Sequence, residues 1–170
     1  MPNVLVHDPP YASDLATLVR ENLDSLTTYA THLTGDPEEA VDFTAGGVSH
    51  TSKYPPLRLE QTGRAALYRS VTRACRHNRR HAPRSGLFRR RQPTWRPEIS
   101  GPDAAARINT VKRAMATLSF ERRAALLLRA FAGLSYREMG IALECSPEAA
   151  ARLLAAARRE FGSIYREIAL

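Results

Sequence analysis

The chain has 170 residues, a formal net charge of +8 and 44% hydrophobic side chains, enough apolar content for a folded core in one or two domains. Its uninterrupted apolar runs stop at about five residues where a membrane-spanning helix needs ~20, its first ten residues carry no basic-then-apolar leader, and its two cysteines cannot build a disulfide framework. The expectation is a cytoplasmic protein with no membrane insertion, neither secreted nor membrane-spanning, that takes a polyanionic partner.

In chain order, Asp14 to Leu33 reads as a helix, with Leu15, Leu18, Val19, Leu23, Leu26, Tyr29, Ala30 and Leu33 on one face. Gly35 stops it. Asp36-Pro37-Glu38-Glu39 then opens a second helix, with an N-cap, a proline in the first turn and acids at the positive dipole end. Gly46-Gly47 is expected to weaken or break that helix, and Pro55-Pro56 to end any helix there. A third helix is expected from Gln61 to His81, with Ala65, Leu67, Tyr68, Val71, Ala74 and Cys75 inward and its arginines outward.

Residues 82–103 lack apolar periodicity and hold four prolines, the run Arg89-Arg90-Arg91 and the single Trp95, the composition of a linker. A second helical module follows: Ala104 to Leu118, then Phe120 to Ala132 capped by Ser119 and stopped by Gly133. Ser135-Tyr136-Arg137-Glu138 is a capping box opening a short helix to about Leu143, and Ser146-Pro147-Glu148 caps a last long helix to about Ile168. No strand signal appears. The fold class is therefore all-α, two helical modules joined by a basic linker.

The charge is unevenly placed. Residues 1–60 are net −6, residues 61–97 carry eleven arginines and no acid, and residues 98–170 are net +3. A block of like charge is not expected to be an ordinary salt-bridged helix face, because nothing nearby in the sequence neutralises it; it calls for phosphates or an acidic surface.

Residues 135–161 have the layout of a helix-turn-helix, whose second helix enters the DNA major groove. Met139, Leu143, Ala150, Leu154 and Phe161 can pack its helices together. Arg152 is then the base-edge candidate, and Arg158 and Arg159 the phosphate contacts.

Here the chain resembles the bacterial RNA polymerase sigma factors of the extracytoplasmic-function (ECF) group. Leu126-Leu127-Leu128-Arg129, Gly133-Leu134-Ser135-Tyr136, Glu138, Leu143, Cys145-Ser146, Leu154 and Ala157-Arg158 follow the family's C-terminal pattern in order and spacing. Thr34-Gly35-Asp36-Pro37, Ala40, Asp42 and Leu67-Tyr68-Arg69 resemble its −10-reading domain. The chain departs from that pattern at Ala45-Gly46, where the polymerase-docking face usually has Gln-Glu, at Ala66, Arg73 and His77 in the third helix, and at Glu144, which replaces the usual turn glycine.

The resemblance implies a −10-reading, core-binding domain over 1–81, a linker over 82–103 and a −35-reading helix-turn-helix domain over 104–170. It implies a non-enzymatic protein that binds the β′ and β subunits of core RNA polymerase and promoter DNA, with an anti-sigma factor as a further possible partner. Asp42 falls on the polymerase-docking face, Arg69, Arg73, Arg76, Arg79 and Arg80 on the −10 helix, and Ser146, Arg152, Arg158 and Arg159 on the −35 module. The alternative is a sigma-derived helix-turn-helix regulator or interaction protein that does not itself open promoters.

No catalytic constellation or cofactor motif is legible. His77 and His81 share a helix face, but Cys75 points elsewhere, so no metal site is expected. Tyr68 and Phe43 read as core residues, and Cys145 as a small buried apolar residue.

Overall fold

The computed structural model describes the backbone of residues 10–81 and 102–169 and the side chains of residues 15–77 and 104–169. The expected linker, with Trp95 and the arginines at 89–91, lies outside the described residues, as do the side chains of Arg79, Arg80 and His81. Among the described residues every regular element is a helix.

The N-terminal half is built from α1 (Pro10–Thr34), α2 (Pro37–Thr51), α3 (Pro56–Thr62) and α4 (Arg64–His81). Asp36 caps α2, its Oδ1 accepting from the Glu38 and Glu39 amides at 2.8 and 3.2 Å. Contrary to expectation, α2 runs unbroken through Gly46-Gly47. A Cβ on Gly47 would stand 2.6 Å from Val71 Cγ2 and 3.0 Å from the Val71 amide nitrogen. The glycine thus serves the close approach of α2 to α4, and that packing overrides its low helix propensity. Pro56 is likewise a start, occupying the first turn of α3. The single helix expected from Gln61 is broken at Gly63, whose φ of +51° is a glycine conformation.

Burial on α4 follows the apolar pattern: Ala65, Leu67, Tyr68, Val71 and Cys75 are all buried. Tyr68 meets Tyr29 edge-on at 5.6 Å. Two hydroxyl pairs stand in this core: Tyr29 Oη with Thr72 Oγ1 at 2.7 Å, and Thr51 Oγ1 donating to Ser70 Oγ at 2.9 Å. Each such bond removes the cost of a stranded buried hydroxyl.

The C-terminal half comprises α5 (Pro102–Thr117), α6 (Phe120–Ala130), α7 (Tyr136–Leu143) and α8 (Pro147–Ala169). Helix α6 is capped by Ser119 as expected. Arg123 fastens it to its neighbours: its guanidinium donates to the carbonyls of Met115, Ala116 and Leu118 at the end of α5, and to that of Leu33 in α1. Orphan carbonyls at helix ends are thereby satisfied by one planar donor group.

The halves share one hydrophobic core. Leu26, Tyr29, Leu33, Leu67 and Val71 are continuous with Phe120, Leu127, Leu128, Leu134, Met139 and Leu154. Each large buried side chain contributes about 1.5–3 kcal/mol. Between the halves, α4 packs against α7 and α1 against α6, with His32 stacked on Phe131 at 4.8 Å.

Candidate nucleic-acid interface

Local sequence builds the helix-turn-helix. Ser135 Oγ accepts from the Glu138 amide at 3.3 Å while Glu138 Oε2 accepts from the Ser135 amide at 2.8 Å, completing the capping box. Ser146 Oγ accepts from the Ala149 amide at 3.1 Å and starts α8. Between them the chain turns sharply. Cys145 N donates to Gly140 O at 2.9 Å, and a Cβ on Gly140 would lie 2.7 Å from the Cys145 carbonyl oxygen. Only a glycine at 140 permits that closure.

The turn pivots on Glu144, which has φ 60° and ψ 44° and is the one non-glycine residue with positive φ among those described. A left-handed conformation costs a non-glycine residue about 1–3 kcal/mol. Met139, Leu143, Ala150 and Leu154 are buried between the helices as expected. Phe161 is half-buried and stacks on Tyr165 at 5.9 Å.

The exposed side of α8 presents Arg152, Arg158 and Arg159. Arg152 and Arg159 lie on one stripe with Ala155, where small side chains allow a groove wall close to the backbone. Glu148, four residues before Arg152, lies below the ordinary carboxylate value through its own backbone amide, the Ser146 hydroxyl and the nearby Arg152 charge.

Helix α4 carries the second basic surface. Its arginines avoid the core as expected, but Arg69 and Arg76 are partly buried against the other half of the molecule, and Arg73, itself exposed, leans the same way. Arg69 reaches Glu144 Oε1 with Nη2 at 2.8 Å and Nε at 2.9 Å. Arg73 Nη1 is 3.7 Å from the same oxygen, and Arg76 Nη1 is 3.8 Å from Glu144 Oε2. Partial burial would raise the Glu144 carboxyl, but the Arg69 hydrogen bond and the three guanidinium charges outweigh it, and the group sits below its ordinary value. Arg76 also lies 3.8 Å from Glu121 and 5.6 Å over the Phe120 ring.

A second bridge stands one turn earlier on α4. Arg64 Nε donates to Glu138 Oε1 at 2.8 Å, and its other nitrogens donate to the Ala132 and Gly133 carbonyls. The Arg64 guanidinium, with the Ser135 amide and hydroxyl, pulls the Glu138 carboxyl down to about 2. Sequence reasoning missed Arg64 and Arg123, because the partners of Arg64 lie 68 or more residues away and those of Arg123 are split between the end of α5 and α1.

Asp42 is exposed on α2 in a surface shared with Val41, Ala45 and Gly46. Tyr68 is buried and Phe43 packs against the core, as expected. Cys75 is buried, and burial pushes its thiol up to about 12. Cys145 corrects the sequence reading: it is exposed, because the sharp turn carries its side chain outward. Its thiol is nonetheless raised by the desolvation it retains, so it is a weak nucleophile. Among the described residues no group of three or more His, Cys, Asp or Glu side chains is placed to hold a metal ion, and no helix is long and apolar enough to cross a membrane.

Residues 108–161, from within α5 into α8, match the family model described as Sigma-70, region 4. The C-terminal module is therefore similar to sigma-70 region 4. The fold of the whole chain is similar to that of the sigma factor RpoE from Bartonella quintana, solved in complex with the anti-sigma factor NepR. That match has a TM-score of 0.63 at 17% identity, and covers 91% of this chain and 98% of that one. No curated protein sequence matches the chain. The chain thus shares an all-helical fold with that structure, with the helix-turn-helix formed by α7 and α8 and the basic α4 packed beside it.

Proposed function

We propose that the protein is an ECF-type sigma factor, which binds core RNA polymerase and directs promoter-specific initiation. The observation that carries this reading is the region 4 helix-turn-helix with Arg152, Arg158 and Arg159 exposed on its second helix. In this reading residues 104–170 take the −35 element. Arg152 contacts base edges, while Arg158, Arg159 and Ser146 hold the backbone. Residues 1–81 dock on the polymerase through the Asp42 face of α2 and present α4, with Arg69, Arg73, Arg76, Arg79 and Arg80, to the −10 backbone. Residues 82–103 span the two. The protein performs no catalysis of its own; it supplies sequence recognition to the polymerase from the cytoplasm.

The likeness to an RpoE solved with its anti-sigma factor supports an anti-sigma factor as a further partner. A second reading, a sigma-derived regulator that does not open promoters, draws on the exposed Ala45 and Gly46 beside Asp42, a docking face with few polar groups. Reconstitution with core polymerase and genomic DNA, followed by run-off sequencing, separates the two. New transcript starts sharing paired −35 and −10 motifs support the first reading. DNA binding with no added starts supports the second.

A further inference from the structure

The α4 stripe that the proposed function gives to the −10 backbone is already occupied. Arg69, Arg73 and Arg76, spaced four and three residues apart, all turn toward a single carboxylate of the region 4 turn. That carboxylate belongs to the one non-glycine residue with positive φ among those described. The turn itself is closed by main-chain bonds, Cys145 N to Gly140 O and Glu144 N to Ile141 O, and a glycine at 144 would serve it without strain. Among the described residues, every charged partner of the Glu144 side chain is an α4 arginine. A strained position whose side chain spends itself on the other half of the molecule points to a role at that contact.

The contact is also incomplete. Only Arg69 is at hydrogen-bonding distance; Arg73 and Arg76 stand at 3.7 and 3.8 Å. Arg76 Nε is buried with no hydrogen-bond partner. One carboxylate cannot satisfy three guanidinium forks, whereas successive phosphates can.

We propose that Glu144 is a built-in phosphate mimic, latching the helix-turn-helix over the DNA-binding stripe of α4, so that the free protein rests closed and a nucleic-acid backbone opens it by competing for the same three arginines. The arrangement partly buries Arg69 and Arg76, leaves Arg73 exposed at the rim of the contact, and leaves Arg152, Arg158 and Arg159 exposed, so the two DNA surfaces differ in availability before any partner binds. Assigning the stripe to DNA rests on the proposed function; the closure rests on the geometry alone.

The test uses the full-length protein as wild type, Glu144→Gly, Glu144→Gln and the control Glu60→Gln, which removes the same charge from an exposed site on α3. The glycine variant relaxes the turn, so its folding is not at risk. Affinity for a labelled random-sequence duplex of about 20 base pairs is read by fluorescence anisotropy at low salt, and radius of gyration by small-angle X-ray scattering. If the closed form holds about four-fifths of the molecules, opening it tightens binding about five-fold. Both Glu144 variants are expected to show that gain and an increased radius, with Glu60→Gln near wild type. Adding Arg69→Ala to Glu144→Gly should abolish the gain. Glu144 variants that bind no tighter than Glu60→Gln, or that keep the wild-type radius, overturn the latch. That failure, with wild-type polymerase binding intact, leaves the sigma-factor reading standing. The expected gain and expansion in a protein that binds no polymerase would instead uphold the latch and defeat that reading.

Discussion

Glu144 and Arg69 are 75 residues apart in sequence and 2.8 Å apart in space. The pair joins the turn of a helix-turn-helix to the basic helix of the other half of the chain. It lies beside the Arg64–Glu138 bridge, so two carboxylates of the helix-turn-helix are held by four guanidiniums of α4.

The interface should be acid-sensitive. Glu138 and Glu144 both lie below their ordinary values when folded. A depressed carboxylate contributes stability that is present above its unfolded pKa, near ~4.3, and lost as pH falls toward the folded value, about 2 for Glu138. Thermal melts of wild type should drop between about pH 5 and pH 3, and those of Glu138→Gln should fall less over the same range. Parallel curves would remove Glu138 from the account.

The two adjacent glycines of α2 should behave oppositely. Gly47→Ala puts a methyl 2.6 Å from Val71 Cγ2 and should destabilise by about 1–3 kcal/mol through overpacking. Gly46 has nothing within 4 Å of an added Cβ, and Gly46→Ala should stabilise by up to about 1 kcal/mol through helix propensity. Urea denaturation of both variants reads the contrast, and equal effects would contradict the close approach of α2 and α4.

The same glycines show what was legible in the sequence. The caps at Asp36, Ser119, Ser135 and Ser146 were readable because a cap is closed by residues two or three positions away. The apolar face of α4 was readable from its period. Gly47 was misread as a breaker because its purpose is set by Val71, far along the chain, and no local pattern carries that contact. The site was legible to the same depth. Arg152, Arg158 and Arg159 stand on the exposed face where periodicity put them, and the α4 arginines avoid the core as periodicity required. What they face, a glutamate replacing a turn glycine in the other module, follows from tertiary packing. The outward turn of Cys145 is a consequence of the same pivot.

Arg123→Ala should cost about 1–3 kcal/mol, by stranding carbonyls at the end of α5 and that of Leu33 in α1. Because one of its four bonds crosses to the other half of the chain, the variant should also be cut faster by a protease at residues 82–103, where the proposed linker runs. A variant as stable and as resistant as wild type would show that solvent replaces those bonds at no cost.

DNA recognition should divide between the two basic surfaces. Arg152→Ala is expected to relax sequence preference, since a groove-facing arginine discriminates bases by about 1–3 kcal/mol. Arg79→Ala and Arg80→Ala should weaken all sequences alike, and each should reduce the salt slope of log affinity by about one. Binding titrations on matched and scrambled duplexes at several salt concentrations separate the roles. Identical behaviour of the two sets would merge them into one surface.

A chain that works as a sigma factor co-migrates with bacterial core RNA polymerase on size exclusion at low salt. A one-to-one complex is expected, weakened by Asp42→Ala through loss of a charge-assisted contact on the exposed face of α2. Elution of the protein apart from core enzyme, at concentrations where a known sigma factor co-elutes, would contradict it.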